Sequence, residues 1–147
     1  MQSVEETSQA PFVLIAEDSV EDWMLLEYAF RRSELLNPYA IVTNGEDVIT
    51  WLSFYGRDPR YPLPDLLVLD VHMPQKSGLE VLEWIRTQPC YDNLPVIVMS
   101  GIGSKEMINR ALAIGAHSYF FKAGDYSELM HFIADFSTLH TLQMEPA

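Results

Sequence analysis

The sequence predicts an α/β fold, a doubly wound parallel sheet with helices on both faces. Three observations carry that prediction. Strand-like apolar runs alternate with helix-like stretches along the whole chain. The run Leu66-Leu67-Val68-Leu69 is continuously aliphatic, as a strand covered on both faces should be. Four of the apolar runs end in chemically capable residues: Glu17-Asp18, Asp70, Ser100 and Lys122. If the strands are parallel, those tips share one carboxyl edge, where open α/β folds hold their sites.

The elements follow in order. Pro11 and Phe12 lead into the strand Val13-Leu14-Ile15-Ala16, which ends in the acid pair. A first helix runs from about Val20 to Arg32, with Leu25, Leu26, Ala29 and Phe30 at inner-face spacing and Trp23 and Met24 as extra core contacts. A short second strand covers Tyr39 to Thr43. Gly45 ends the turn, and a second helix reaches about Tyr55 with Val48, Ile49, Trp51 and Leu52 as its apolar positions. The segment Gly56 to Pro64 is proline-rich, excludes regular helix and is a long connection for an α/β unit. The third strand ends in Asp70, and Pro74 and Gly78 turn the chain just beyond it. A third helix spans about Leu79 to Thr87, and Pro89, Asn93 and Pro95 punctuate the path to a fourth strand ending at Ser100. A fourth helix starts after Ser104 and reaches Ile114, where Gly115 stops it. The aromatic strand Ser118-Tyr119-Phe120-Phe121 leads into Lys122. A fifth helix runs from about Tyr126 to Phe136, with Leu129, Phe132, Ile133 and Phe136 facing in.

Composition narrows the function. The chain has 147 residues, 48% of them hydrophobic, which suits one folded domain. Its formal net charge of −12 disfavours unaided binding to nucleic acid or to an anionic membrane surface. No apolar run approaches the roughly 20 residues that span a bilayer. Residues 1–11 are polar and acidic, unlike a signal peptide, and read as a disordered leader, so the expected location is the cytoplasm. Cys90 is the single cysteine and excludes an internal disulfide. The four histidines have no zinc-site spacing, and neither a P-loop nor a dinucleotide fingerprint is present.

The tips themselves have a chemical logic. Clustered carboxylates repel one another unless a cation joins them, and hard oxygen ligands suit Mg²⁺. A carboxylate beside that ion is a competent nucleophile toward phosphorus. A lysine and a hydroxyl at neighbouring tips would neutralise and hydrogen-bond the phosphoryl oxygens.

With those residues in order, the chain resembles the receiver domain of two-component response regulators over about residues 12–136. The matching pieces are Glu17-Asp18, Asp70, the stretch Met73-Pro74 through Ser77-Gly78, Ser100 and Lys122. The resemblance implies a flavodoxin-like (CheY-like) five-stranded sheet in the order 2-1-3-4-5 with five helices. It implies Asp70 as phosphoacceptor, and Asp18, Asp70 and the His72 backbone carbonyl as Mg²⁺ ligands, with Glu17 reaching the metal directly or through water. It implies Ser100 as the switch hydroxyl, Tyr119 as the switch aromatic, Lys122 as the phosphoryl-binding cation and a sensor histidine kinase as partner. Such a domain assists its own phosphorylation and dephosphorylation but is no enzyme toward other molecules. One departure stands out: the family usually has proline after the lysine, and here Ala123-Gly124 follows, with a trans bond expected and Gly124 available for the turn.

The long segment before the third strand, the missing proline and an apolar tail (Leu139, Leu142, Met144) resemble the small response regulators that serve phytochrome-type photoreceptor kinases. That subgroup implies a homodimer through the last helix and residues 137–147. No output domain is expected after the fifth helix, so the output would be altered protein binding. Three alternatives stay open on sequence: a phosphate-independent pseudo-receiver; a relay intermediate that passes the phosphoryl group to a histidine phosphotransfer protein; and a Mg²⁺-dependent phosphatase. The last is disfavoured because His72 stands where such enzymes place a second carboxylate.

Overall fold

A computed structural model describes residues 10–122 and 126–144, the side chains of 141–144 excepted. Alternating segments build β1 (Val13–Ala16), α1 (Val20–Ser33), β2 (Tyr39–Val42), α2 (Gly45–Phe54), β3 (Leu66–Asp70), α3 (Gly78–Arg86), β4 (Val96–Ser100), α4 (Lys105–Ile114), β5 (Ser118–Phe121) and α5 (Ser127–Met144). All strand pairs are parallel, and the sheet order is β2-β1-β3-β4-β5, as expected. Register aligns the tips. Ala16 pairs with Leu69, Asp70 with Met99, and Ser100 with Phe121, so the residues that close the strands emerge along one edge.

Every residue of β1, β3 and β4 is buried, because the sheet is covered on both faces. Alternate side chains feed two cores. Leu14, Leu67, Leu69 and Val98 pack with Val48 and Leu52 of α2 and with Val81, Leu82 and Ile85 of α3. Val13, Ile15, Leu66, Val68 and Met99 pack with Leu26 and Phe30 of α1 and with Leu129, Met130 and Ile133 of α5. Each such aliphatic side chain contributes about 1.5–3 kcal/mol on burial, so the strand tips rest on a stiff base.

The helices start where their caps dictate. Ser19 accepts from the Asp22 amide, Asn44 from Asp47 and Ser104 from Met107. Ser77 and Glu80 form a reciprocal capping box at α3. Gly115 ends α4 with φ 131°, a conformation that suits glycine, and confirms the expected stop.

The sequence-based expectations need three adjustments. Leu25, expected on the inner face of α1, is exposed, and so is Met24; the buried stripe is the narrower pair Leu26 and Phe30 with Trp23 packed beside it. The strand β2 ends at Val42, one residue before the expected Thr43. The fifth helix does not stop at Phe136 but continues to Met144, because no glycine or proline interrupts 127–144. The proline-rich segment does lack regular helix. It is held by the Trp51 indole, which donates to the Pro62 carbonyl at 2.8 Å, and by Tyr61 edge-on to Trp51. The Lys122–Ala123 bond, the turn at Gly124 and residues 1–9 of the expected leader lie outside the described residues; Pro11, also expected in that leader, is buried and its carbonyl accepts from Asn37 at 2.9 Å. No helix among the described residues is long and apolar enough to cross a membrane.

Candidate functional site

The carboxyl edge brings the predicted acids together. Glu17 and Asp18 leave β1, Asp70 closes the neighbouring β3, and one oxygen of each lies within 4.8 Å of the others. This is where the sheet order reverses direction between β1 and β3, the natural crevice of a doubly wound sheet. Glu17 and Asp70 are almost wholly buried, at 0% and 3% exposure, whereas Asp18 opens to solvent.

Lys122 reaches into this crevice from the end of β5. Its Nζ lies 2.9 Å from Glu17 Oε1 and 3.4 Å from Asp70 Oδ2. A third carboxylate, Asp22 on the first turn of α1, is closer still, at 2.7 Å. Burial by itself would lower the ammonium, but its bonds to Asp22 and Glu17 and the charge of Asp70 outweigh that and hold it above the usual lysine range. The Glu17 carboxyl moves the opposite way from a paired acid. Burial, with the Asp70 charge added, pushes it up to about 7 despite the Lys122 hydrogen bond. The Tyr126 phenol, buried where α5 begins, is also held above its normal range, by burial and then by the charges of Asp22, Glu17 and Asp70.

The backbone around Asp70 is tightly set. The His72 amide donates to Asp70 Oδ1 at 3.3 Å, while the imidazole is exposed and takes no part. Gly78 packs directly behind the carboxylate-bearing residue: a Cβ there would sit 2.3 Å from the Asp70 carbonyl oxygen. The Gly78 amide donates to the Val71 carbonyl at 2.9 Å, which folds the intervening loop back over the strand end.

Ser100 and Tyr119 both bond to the main chain of Ile102. The buried Ser100 hydroxyl oxygen accepts from the Ile102 amide at 2.9 Å. The Tyr119 hydroxyl donates to the Ile102 carbonyl. Tyr119 therefore stands apart from the acids and communicates with Ser100 through the loop after β4.

The donor set fits a small divalent cation. Three carboxylate oxygens converge, all hard ligands, and the exposed Asp18 leaves a solvent-facing side where an ion would keep water. Such an ion would also offset the burial and the Asp70 charge that raise Glu17.

Sequence reasoning missed Asp22. Asp22 carried a weak signal, since it lies one helical turn after Asp18 and three residues after the cap Ser19. The main-chain role of Ile102 carried no sequence signal, because it is played by its amide and carbonyl rather than its side chain.

The comparisons agree with this geometry. A family model described as the response regulator receiver domain matches residues 13–134. Response regulator Rcp1 of Synechocystis sp. (strain ATCC 27184 / PCC 6803 / Kazusa) is 24% identical over 129 residues, 88% of each chain. Four other curated relatives are longer, and the match covers between 8% and 30% of their lengths. The phosphorylated cyanobacterial phytochrome response regulator RcpA superposes with a TM-score of 0.75 at 24% identity, covering 94% of this chain and 99% of that one. Response regulator RPA3017, in red light signaling of R. palustris, gives a TM-score of 0.73 at 26% identity, covering 93% and 96%. From the acid edge, the sheet order and the match across residues 13–134, the chain belongs to the response regulator receiver domain family.

Proposed function

We propose that this chain is a response regulator that accepts a phosphoryl group on Asp70 from a histidine kinase, with Mg²⁺ as cofactor. The observation that carries the reading is the convergence of Glu17, Asp18 and Asp70 with Lys122 on one buried edge. Asp18, Asp70 and the His72 carbonyl would hold the ion, with Glu17 direct or through water. Bound there, the ion supplies Lewis-acid charge neutralisation of phosphoryl oxygens.

An Asp70 carboxylate oxygen attacks phosphorus as the phosphorus–nitrogen bond of the donor phosphohistidine breaks, and the imidazole leaves with the electron pair. Lys122 binds a phosphoryl oxygen. Ser100, its oxygen steadied by the Ile102 amide, gives its hydroxyl hydrogen to another. A shift of Ser100 pulls on the Ile102 amide and, through that residue's carbonyl, on Tyr119, which carries the change to the face formed by α4, β5 and α5. The same aspartyl phosphate is also competent to pass its group to a histidine phosphotransfer protein.

The similarity to Rcp1, RcpA and RPA3017 supports a kinase of phytochrome type as the donor. The extension of α5 to Met144, with Leu139 60% exposed, supports a homodimer through the last helix and the tail. A histidine-kinase donor of this kind would act on the protein in the cytoplasm.

The test is intact-mass measurement after incubation with Mg²⁺ and phosphoramidate, beside an Asp70→Asn variant. One phosphoryl group is expected on the wild type only, and only with Mg²⁺. Labelling that persists in Asp70→Asn would sink the assignment. Transfer from a phosphorylated bacteriophytochrome kinase then tests the partner, and light scattering of Leu139→Asp tests the dimer.

A further inference from the structure

We propose that Asp22 is a positioning residue that competes with the phosphoryl group for Lys122, and so sets how readily the site takes a phosphoryl donor. The inference rests on the phosphoacceptor reading of Asp70. An ammonium has three N–H donors. In the resting site all three are committed, to Asp22 at 2.7 Å, Glu17 at 2.9 Å and Asp70 at 3.4 Å. A phosphoryl oxygen gains Lys122 only if one contact is surrendered.

The three contacts are not equivalent. Glu17 is wholly buried, and stripping its cation would leave a carboxylate with no access to water. Asp70 is the attacking group and its oxygen already lies farthest from Nζ. The Asp22 side chain is 29% exposed, so water can replace the lysine there at small cost. Asp22 is therefore the partner exchanged. It is also fixed in place, because its amide is held by the Ser19 cap on the first turn of α1. The resting Asp22–Lys122 pair draws the ammonium toward α1, and donor binding has to break it.

Phosphoramidate labelling of wild type, Asp22→Asn and Asp22→Glu at saturating Mg²⁺ tests the proposal, together with ¹H–¹⁵N spectra of the lysine ammonium groups without metal. Lys76, Lys105 and Lys122 are the only lysines in the sequence, so the assignment is tractable. Asp22→Asn is expected to reach half-maximal rate at about fivefold lower phosphoramidate, the worth of one partly exposed ion pair. Its maximal rate should stay within about twofold of wild type, and Asp22→Glu should behave like wild type. The Lys122 signal should move in Asp22→Asn, and phosphorylated wild type should move the same way. A half-saturating concentration that is unchanged or higher in Asp22→Asn, with wild type labelled normally, would overturn the competition. So would a Lys122 signal indifferent to Asp22. Absence of labelling in the wild type would instead overturn the phosphoacceptor reading, and this inference with it.

Discussion

The two edges of the sheet hold similar side chains to opposite ends. At the amino edge, Asp65 accepts the Phe12 amide at 2.8 Å, and buried Asn37 donates to the Pro11 carbonyl at 2.9 Å and to Ser137 at 3.0 Å. Each of these hydrogen bonds goes to the main chain or to a neutral partner, with His140 3.9 Å from the other Asp65 oxygen, and the bonds tie the entry of β1 to β3 and α5. At the carboxyl edge, Glu17, Asp18 and Asp70 crowd one another, and Lys122 is shared among Glu17, Asp70 and Asp22. The first arrangement stabilises the fold. The second costs stability and is what makes an edge reactive.

The largest test of this contrast is steric. Gly78→Ala places a Cβ 2.3 Å from the Asp70 carbonyl, and neither backbone has room to yield. A loss of about 3 kcal/mol is expected in urea unfolding. A loss below 1 kcal/mol would mean that the loop behind Asp70 is far looser than its hydrogen bonds imply.

Removing a satisfied group should cost less but still cost. Asn37→Ala leaves the buried Pro11 carbonyl without its donor, and about 2 kcal/mol should be lost. The same chemical change at the two edges should then differ in sign. Asp65→Asn weakens the charge-assisted bond to Phe12 and should destabilise by about 1 kcal/mol. Asp70→Asn removes one of the crowded carboxylates and should stabilise the metal-free protein by about 1 kcal/mol. Equal signs in denaturant midpoints would erase the distinction between the edges.

The last test concerns pH. The folded Glu17 carboxyl titrates near 7, against 4.5 as its ordinary value. Between those values the folded state binds more protons than the unfolded one, so stability falls as pH rises from about 4.5 to about 7 and levels off above. Melting of metal-free wild type beside Glu17→Gln across that window checks it. The variant should lose that part of the slope, and parallel curves would mean that Glu17 stays ionised throughout.

Much of this site was legible before any coordinates. Asp70, Ser100 and Lys122 stand out because apolar runs stop at them or just before them, and a strand's end is a local property of the sequence. Tyr119 and the His72 carbonyl came only through the family resemblance, since neither has a distinguishing local pattern. Leu25 misled because helical spacing marks a stripe wider than the one α1 buries; the width is set by how α1 and α5 seat on the sheet. The length of α5 was underestimated for a related reason. The helix was expected to end near Phe136, yet no breaker stops it and Ser137 bonds back to the Ile133 carbonyl at 2.7 Å.

By itself the sequence determined the kind of sheet, the helix starts at Ser19, Asn44, Ser77 and Ser104, and the chemical inventory of the active edge. These depend on periodicity and on neighbours within a few residues, which any chain segment carries with it. Only the tertiary structure decided which carboxylates share Lys122 and how strongly Glu17 is desolvated. It also decided that one residue, Ile102, joins the serine to the tyrosine through its amide and its carbonyl. Asp22 and Lys122 are far apart in the chain and meet because β1 and β5 end on the same edge while α1 folds back beside them. Coulomb energies and burial depend on distance through space, and that distance exists only once the sheet has assembled.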